Sequence, residues 1–221
     1  MESKIKVLYE DGDTLVIDKP RGFLSEDSAS GSSALRVLKE ERGFSFLAPI
    51  NRLDREVAGV MLLAKTQKGA AFYTAALADR SKVIKEYLAV VTGAFSERSG
   101  ELCDLLFKDS AKNKSFVVDR VRRGVKEAKL SYRVLDERTE EGKTLSLVHI
   151  ILGTGRTHQI RVQFSHRKHP LVGDRKYGGD PLFPMGLLAY RLTFPTMKGK
   201  TLTVTSESVS ETPISLFPAP F

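Results

Sequence analysis

The run Asn51-Arg52-Leu53-Asp54-Arg55 places one acid between two arginines, just ahead of an apolar stretch over residues 57–64. Charged groups at the lip of a core strand are costly if buried without partners. The pattern therefore suits either a salt-bridged loop or a functional carboxylate held by arginine at a cleft. A second constellation is Gly153-Thr154-Gly155-Arg156-Thr157-His158-Gln159-Ile160-Arg161. Glycines leading into a helix N-terminus offer free N–H groups and a dipole to an anion. The same run equally suits an ordinary glycine-led, threonine-capped helix, and its spacing is not that of a P-loop. On a helix, His158 and Arg161 would share a face. Lys85-Glu86-Tyr87 leads into a strand, where a tyrosine is more often packing with one satisfied hydroxyl than chemistry. His158, His166, His169 and Asp174 match no standard zinc spacing. His149 reads as a satisfied core histidine, and Cys103 lacks the cationic neighbours that would activate a thiol.

These residues need elements to position them. Residues 5–9 and 14–18 read as strands around an Asp11-Gly12-Asp13 turn. Gly31-Ser32-Ser33 opens a helix that Gly43 stops, with Leu35 and Leu38 on its buried stripe. Residues 57–64 form a near-continuous apolar strand, buried on both faces. Thr66 caps an alanine-rich helix running to about Arg80, and residues 86–92 form another apolar strand. Residues 112–129 are the most basic stretch, with Lys112, Lys114, Arg120, Arg122, Arg123, Lys126 and Lys129 against Asp119 and Glu127. They read as a loop and hairpin. Residues 129–136 and 144–152 pair through a turn at Glu140-Glu141-Gly142-Lys143. Thr157 caps a helix to about Arg167, with Ile160 and Phe164 on its buried side. Residues 187–195 and 201–205 are late strands, and the tail from Ser206 either stays loose or docks. The fold class expected is α+β, with a mixed, mostly antiparallel central sheet flanked by helices.

The chain has 221 residues, with 35 lysines and arginines against 27 acids and a net charge of +8. That length suits one domain, residues 1–221, with residues 206–221 as a possible tail. A hydrophobic share of 41% and a charged share of 28% exclude wholesale disorder and any disulfide-rich class. The basic excess suits a polyanionic partner, nucleic acid or an anionic membrane surface. A single cysteine allows no disulfide within the chain, which favours a reducing, cytoplasmic setting, and excludes a four-cysteine zinc site. The N-terminus lacks the features of a signal peptide, and no apolar run reaches the ~18 residues that read as a membrane span.

Taken together, the segments resemble the RluA-type family of RNA pseudouridine synthases. Arg52-Leu53-Asp54-Arg55-Glu56-Val57-Ala58-Gly59 resembles the family's R-L-D-x-x-T-S-G motif. Lys85-Glu86-Tyr87 resembles K-x-Y. Gly155-Arg156-Thr157-His158-Gln159-Ile160-Arg161 matches G-R-T-H-Q-I-R in full. Leu15-Val16-Ile17-Asp18-Lys19-Pro20, His169-Pro170-Leu171-Val172-Gly173-Asp174 and Tyr177-Gly178 support it. The resemblance spans about residues 7–195. Two departures stand out: Asn51 takes the place of the usual His, and Val57-Ala58 replace Thr-Ser. The match begins near the first residue, so the small S4-like N-terminal RNA-binding domain of many relatives is not expected.

The resemblance implies an isomerase that converts uridine in structured RNA, ribosomal or transfer, to pseudouridine. Its implied catalytic set is Asp54, Tyr87 and Arg161. Asp54 would act on the ribose, as nucleophile at C1′ or base at C2′. Arg161 would pair with Asp54, and Tyr87 would stack on the uracil. The target base must flip out of its helix, and Arg52 would fill the gap. Arg55, Lys85, Arg156, His158 and Gln159 complete the RNA-binding set near the site. Lys112, Lys114, Arg120, Arg122 and Arg123 form a phosphate-contact surface or, equally, a solvated basic loop. No cofactor, metal or membrane is expected, and a monomer is. The alternatives are a non-catalytic RNA-binding module of the same fold, and a metal-dependent hydrolase built on His158, His166, His169 and Asp174.

Overall fold

The computed structural model describes residues 5–27, 32–79, 81–140 and 142–218. Gly31, Arg80, Glu141 and residues 219–221, which entered the sequence reading as a helix start, a helix end, a turn and the tail's end, lie outside the described residues. In chain order the elements are β1 (Lys6–Glu10), β2 (Thr14–Lys19), α1 (Ala34–Arg42), β3 (Ala48–Pro49), β4 (Ala58–Ala64), α2 (Gln67–Ala78), β5 (Ile84–Thr92), β6 (Ser99–Asp109), β7 (Lys114–Val118), β8 (Val125–Glu140), β9 (Lys143–Leu152), α3 (Gln159–His166), β10 (Leu187–Pro195) and β11 (Thr201–Thr205). Two 3₁₀ turns, Ser208–Glu211 and Pro213–Leu216, follow. The chain divides into two compact units, Met1–Lys85 with Leu188–Val209, and Glu86–Leu187 with Ser210–Phe221.

In the first unit the strands run β1-β2-β4-β10, with β3 against β4 and β11 against β10. Among the described residues of this unit the β4–β10 ladder is parallel, and β1–β2, β2–β4, β3–β4 and β10–β11 are antiparallel. Every residue of β2 and β4 is buried, which is why β4 reads as a continuous apolar run rather than an alternating one. Val16, Val60, Leu62, Leu192 and Phe194 meet Tyr73 and Ala76 of α2 in one core. The buried Tyr73 hydroxyl is satisfied 2.6 Å from Thr14 Oγ1, as interior polar groups must be. The caps stand where the sequence puts them: Ser33 accepts the Arg36 N–H, Gly43 closes α1 in the left-handed region at φ 69°, and Thr66 accepts the Gly69 N–H. Gly59 sits on the parallel ladder at φ 121°, and a Cβ there would lie 2.2 Å from the Ala189 carbonyl oxygen. No other residue fits.

In the second unit the order is β5-β9-β8-β6-β7, antiparallel throughout. The sheet is thus mixed and mostly antiparallel, as expected. β6 is an addition: Ser99–Asp109 pairs with both β7 and β8. Its residues alternate poorly, and only Leu102 and Leu106 are buried. β8 begins earlier than expected, at Val125, so the basic stretch is divided between β7, the connecting loop and the start of β8. α3 is buried on all sides from Gln159 to Phe164, and its Val162 packs with Leu106, Ala128 and Tyr177. The tail is docked as far as it is described. Ser206 Oγ donates to the Asp18 carboxylate at 2.9 Å in the first unit, and Ile214 and Phe217 are buried in the second.

Candidate active site

Asp54 lies on the loop between β3 and β4, and its two neighbours are both clamped. The buried Ser25 hydroxyl donates to the Leu53 carbonyl at 2.7 Å and accepts the Leu53 N–H at 2.9 Å. On the other side, the Gly22 N–H donates to the Arg55 carbonyl at 2.8 Å, and Arg55 Nε donates to the Gly22 carbonyl at 3.0 Å. The Val57 N–H closes the turn onto the Asp54 carbonyl at 3.0 Å. Asp54 is therefore a half-buried carboxylate on a backbone pinned before and after it. Asn51 has a use of its own: its amide nitrogen donates to the Val60 carbonyl and its oxygen accepts the Leu62 N–H at 2.7 Å. It acts as an extra ladder rung that moors the loop to β4.

Lys19, at the end of β2, is buried beneath these loops, and Nζ donates to the Pro20 and Phe23 carbonyls, both at 2.9 Å. Burial pulls its ammonium down to about 8, while the charges of Asp54 and Glu56 push the other way. Lys19 thus ties the second half of the clamp to β2 and sets a positive charge near Asp54. This lysine belongs to a supporting motif of the sequence but was not named as a site residue. Its signal was a lysine closing a strand whose middle, Leu15-Val16-Ile17, is apolar. Arg52 is exposed and meets Glu26 at 3.1 Å, so it lies on the rim of this loop. Lys85 is half-buried.

In the second unit, Tyr87 is buried on β5 opposite Ile150 of β9. The loop before α3 is stitched to β8. Thr154 exchanges hydrogen bonds with Lys129, its N–H donating to the Lys129 carbonyl and its hydroxyl oxygen accepting the Lys129 N–H. Arg156 Nε donates to the Glu127 carbonyl at 2.9 Å. Gln159 is 3% exposed. Its oxygen accepts from Thr154 Oγ1 and the Arg156 N–H, and its nitrogen donates to the Lys129 carbonyl. Both ends of the Gln159 amide thus shape this loop.

The expected start of α3 is corrected at His158. It, not Thr157, is the helix cap, in the left-handed region at φ 54° and without a side-chain capping bond. Its ring is buried, with Nδ1 3.0 Å from the Tyr177 hydroxyl. His158 precedes α3 rather than lying within it, and both it and Arg161 are buried. Tyr177 in turn accepts the Ser115 N–H of β7 at 2.8 Å, and Ser115 Oγ donates to the Thr157 carbonyl at 2.6 Å. Arg161 is buried and makes a two-pronged pair with Asp174, Nε to Oδ2 at 2.6 Å and Nη2 to Oδ1 at 2.7 Å.

Three of the four groups of the metal-hydrolase alternative are engaged elsewhere, and His166 is exposed. Asp174 holds Arg161, His158 meets Tyr177, and His169 Nδ1 lies 3.0 Å from the Thr92 carbonyl while its ring stacks on Phe95. Among the described residues no three such side chains gather as a metal site. His149 is half-buried rather than core, and its Nε2 lies 3.0 Å from Glu86. Lys112, Arg120, Arg122 and Arg123 are exposed. Lys114 Nζ sits over the Tyr177 ring at 4.9 Å and Arg122 over Phe107 at 4.7 Å.

Comparison with known proteins adds a second line. A family model described as RNA pseudouridylate synthase matches residues 13–166. "Ribosomal large subunit pseudouridine synthase D" of Yersinia pestis is 34% identical over 191 residues, covering 84% of this chain and 56% of that protein. "tRNA pseudouridine(32) synthase, mitochondrial" of Saccharomyces cerevisiae is 36% identical over 184 residues, covering 81% of this chain and 38% of that protein. The chain spans about half the length of the curated relatives it matches. The solved structure of human RNA pseudouridylate synthase domain containing 1 matches with a TM-score of 0.78 at 23% identity, over 94% of this chain and 84% of that one; it shows a shared fold. With a family model covering most of its length and three motifs in the family's order, the chain belongs to the RNA pseudouridylate synthase family, of the RluA type.

Proposed function

We propose that this protein isomerises uridine within RNA to pseudouridine, with Asp54 as the carboxylate that acts on the ribose. The observation that carries the reading is the clamped loop: Leu53 and Arg55 are each held by two hydrogen bonds to residues 22–25, so Asp54 is aimed by its backbone. A carboxylate positioned in this way serves either as nucleophile at C1′ or as base at C2′. The N1–C1′ bond breaks, the uracil turns, and a C5–C1′ bond forms. The proton leaves C5 and N1 ends protonated, so the change is redox-neutral and consumes no water.

Arg161, with its guanidinium fixed by Asp174, supplies an oriented positive charge to the reaction in this reading. Tyr87 stacks on the uracil and assists removal of the C5 proton. Arg52, at the rim, takes the place of the flipped base. Arg55, Lys85 and Arg156 line the approach. The exposed Lys112, Arg120, Arg122 and Arg123, with Lys114, supply phosphate contacts. Ribosomal and transfer RNA, the substrates in the names of the relatives, are the substrate classes to try.

The test is a nucleoside analysis. Ribosomal and transfer RNA transcripts are incubated with the protein, digested and separated by chromatography. Pseudouridine should appear at the expense of uridine, and EDTA should leave the yield unchanged. RNA that is bound with no pseudouridine formed would favour a binding module. Activity lost to EDTA would favour the metal-dependent reading.

A further inference from the structure

Arg161 and Asp174 form a charged pair whose side chains are 7% and 0% exposed. Both prongs of the guanidinium fork are used, which fixes the plane of the group as well as its place. A buried pair of this kind is weak grounds for stability, because apolar residues of similar size commonly do as well. What it supplies is orientation. The Asp174 carboxylate is itself immobilised: Oδ1 also accepts the Lys176 N–H at 3.1 Å and the Tyr177 N–H at 3.3 Å. Its loop has no slack. A Cβ at Gly173 would fall 2.1 Å from the Pro184 carbonyl oxygen, and one at Gly179 would fall 2.0 Å from that of Leu171. The Tyr177 ring stands 5.2 Å from the guanidinium carbon and is anchored through its hydroxyl to β7. The arginine is thus held by a carboxylate and a ring, both carried on the same tied-down loop.

We propose that Asp174 is a positioning residue, whose carboxylate sets the orientation in which Arg161 serves the reaction. This rests on the isomerase reading above. In Asp174→Asn one oxygen still accepts, but the charge is lost and one prong of the fork faces an amide. A misplacement of about 1 Å costs on the order of 100-fold in rate, so kcat for tritium release from RNA carrying 5-³H-uridine should fall by about that factor. KM and the RNA Kd should stay within about twofold, because the two side chains are too buried to contribute surface phosphate contacts. Arg161→Lys keeps the charge and loses the fork, and should cost about as much. The double variant Asp174→Asn/Arg161→Lys should be little worse than either single one, as for two residues that act as a unit.

Activity is scaled to the folded fraction measured by circular dichroism. If Asp174→Asn does not fold, Arg161→Lys alone against wild type carries the test, and an unchanged kcat in it overturns the proposal. A wild-type kcat in Asp174→Asn overturns it, as do losses that multiply in the double variant. A wild type that releases no tritium contradicts the isomerase reading itself and the proposal with it, an outcome distinct from an active wild type with an indifferent Asp174→Asn.

Discussion

Asp54 illustrates how a residue's chemistry is set by neighbours that carry none. Ser25 holds the Leu53 peptide at both ends from a buried position. Ser25→Ala leaves that N–H and carbonyl without their partner, which should lower stability by about 1–3 kcal/mol. It should also lower kcat by more than the loss of folded protein explains; chemical denaturation and turnover on the same sample check both. Lys19 makes a prediction about pH. Its folded value of about 8 lies below the ordinary 10.5, so between those values the unfolded chain binds more protons and stability rises with pH. The cost of burying the charge is fully present below about pH 8 and is relieved as pH climbs toward 10.5. Denaturation midpoints should show wild type gaining on Lys19→Met by up to about 1.4 kcal/mol per pH unit across that window. Parallel curves would refute the assignment. The sequence already marked Asp54 as an acid where an acid is costly. The clamp was not legible, because Gly22 and Ser25 are unremarkable until the loops meet, and Asn51 stood out only as a departure from the motif.

At the scale of elements, strands with a strong pattern were readable and the weak one was not. β2 and β4 announce themselves because both their faces are buried. β6 buries only Leu102 and Leu106 among charged neighbours, so periodicity gives it no voice and its ladders with β7 and β8 define it. The start of α3 was misread for a local reason. Threonine is the common cap, but here the chain turns through a left-handed His158 that Tyr177 holds, a tertiary contact that overrides a local preference. Gly59 was seen as part of a motif, and the fold supplies its physical reason. Gly59→Ala combines a left-handed backbone with a clash against Ala189, and should cost at least about 3 kcal/mol in a denaturation experiment. The β7–β8 connection carries Arg120, Arg122 and Arg123, all exposed. Replacing all three with glutamine should weaken RNA binding similarly across sequences. It should flatten the slope of log K against log salt by about 1 for each arginine that meets a phosphate. An unchanged slope would assign the loop to solvent.

For the molecule as a whole, the net charge of +8 is a statement about partners rather than about fold, and membership of an RNA-modifying family gives it a direction. Each unit holds part of the proposed machinery, Asp54 with Lys19 in one, Tyr87 with Arg161 and Asp174 in the other. Every assigned role meets at one claim, that the Asp54 carboxylate performs the isomerisation. Its most direct measurement is tritium release from ribosomal and transfer RNA carrying 5-³H-uridine, comparing wild type with Asp54→Asn at equal RNA occupancy. The account predicts release by the wild type and none above background by Asp54→Asn, with RNA binding unchanged. Release at comparable rates by both, or by neither while the RNA is bound, would contradict it.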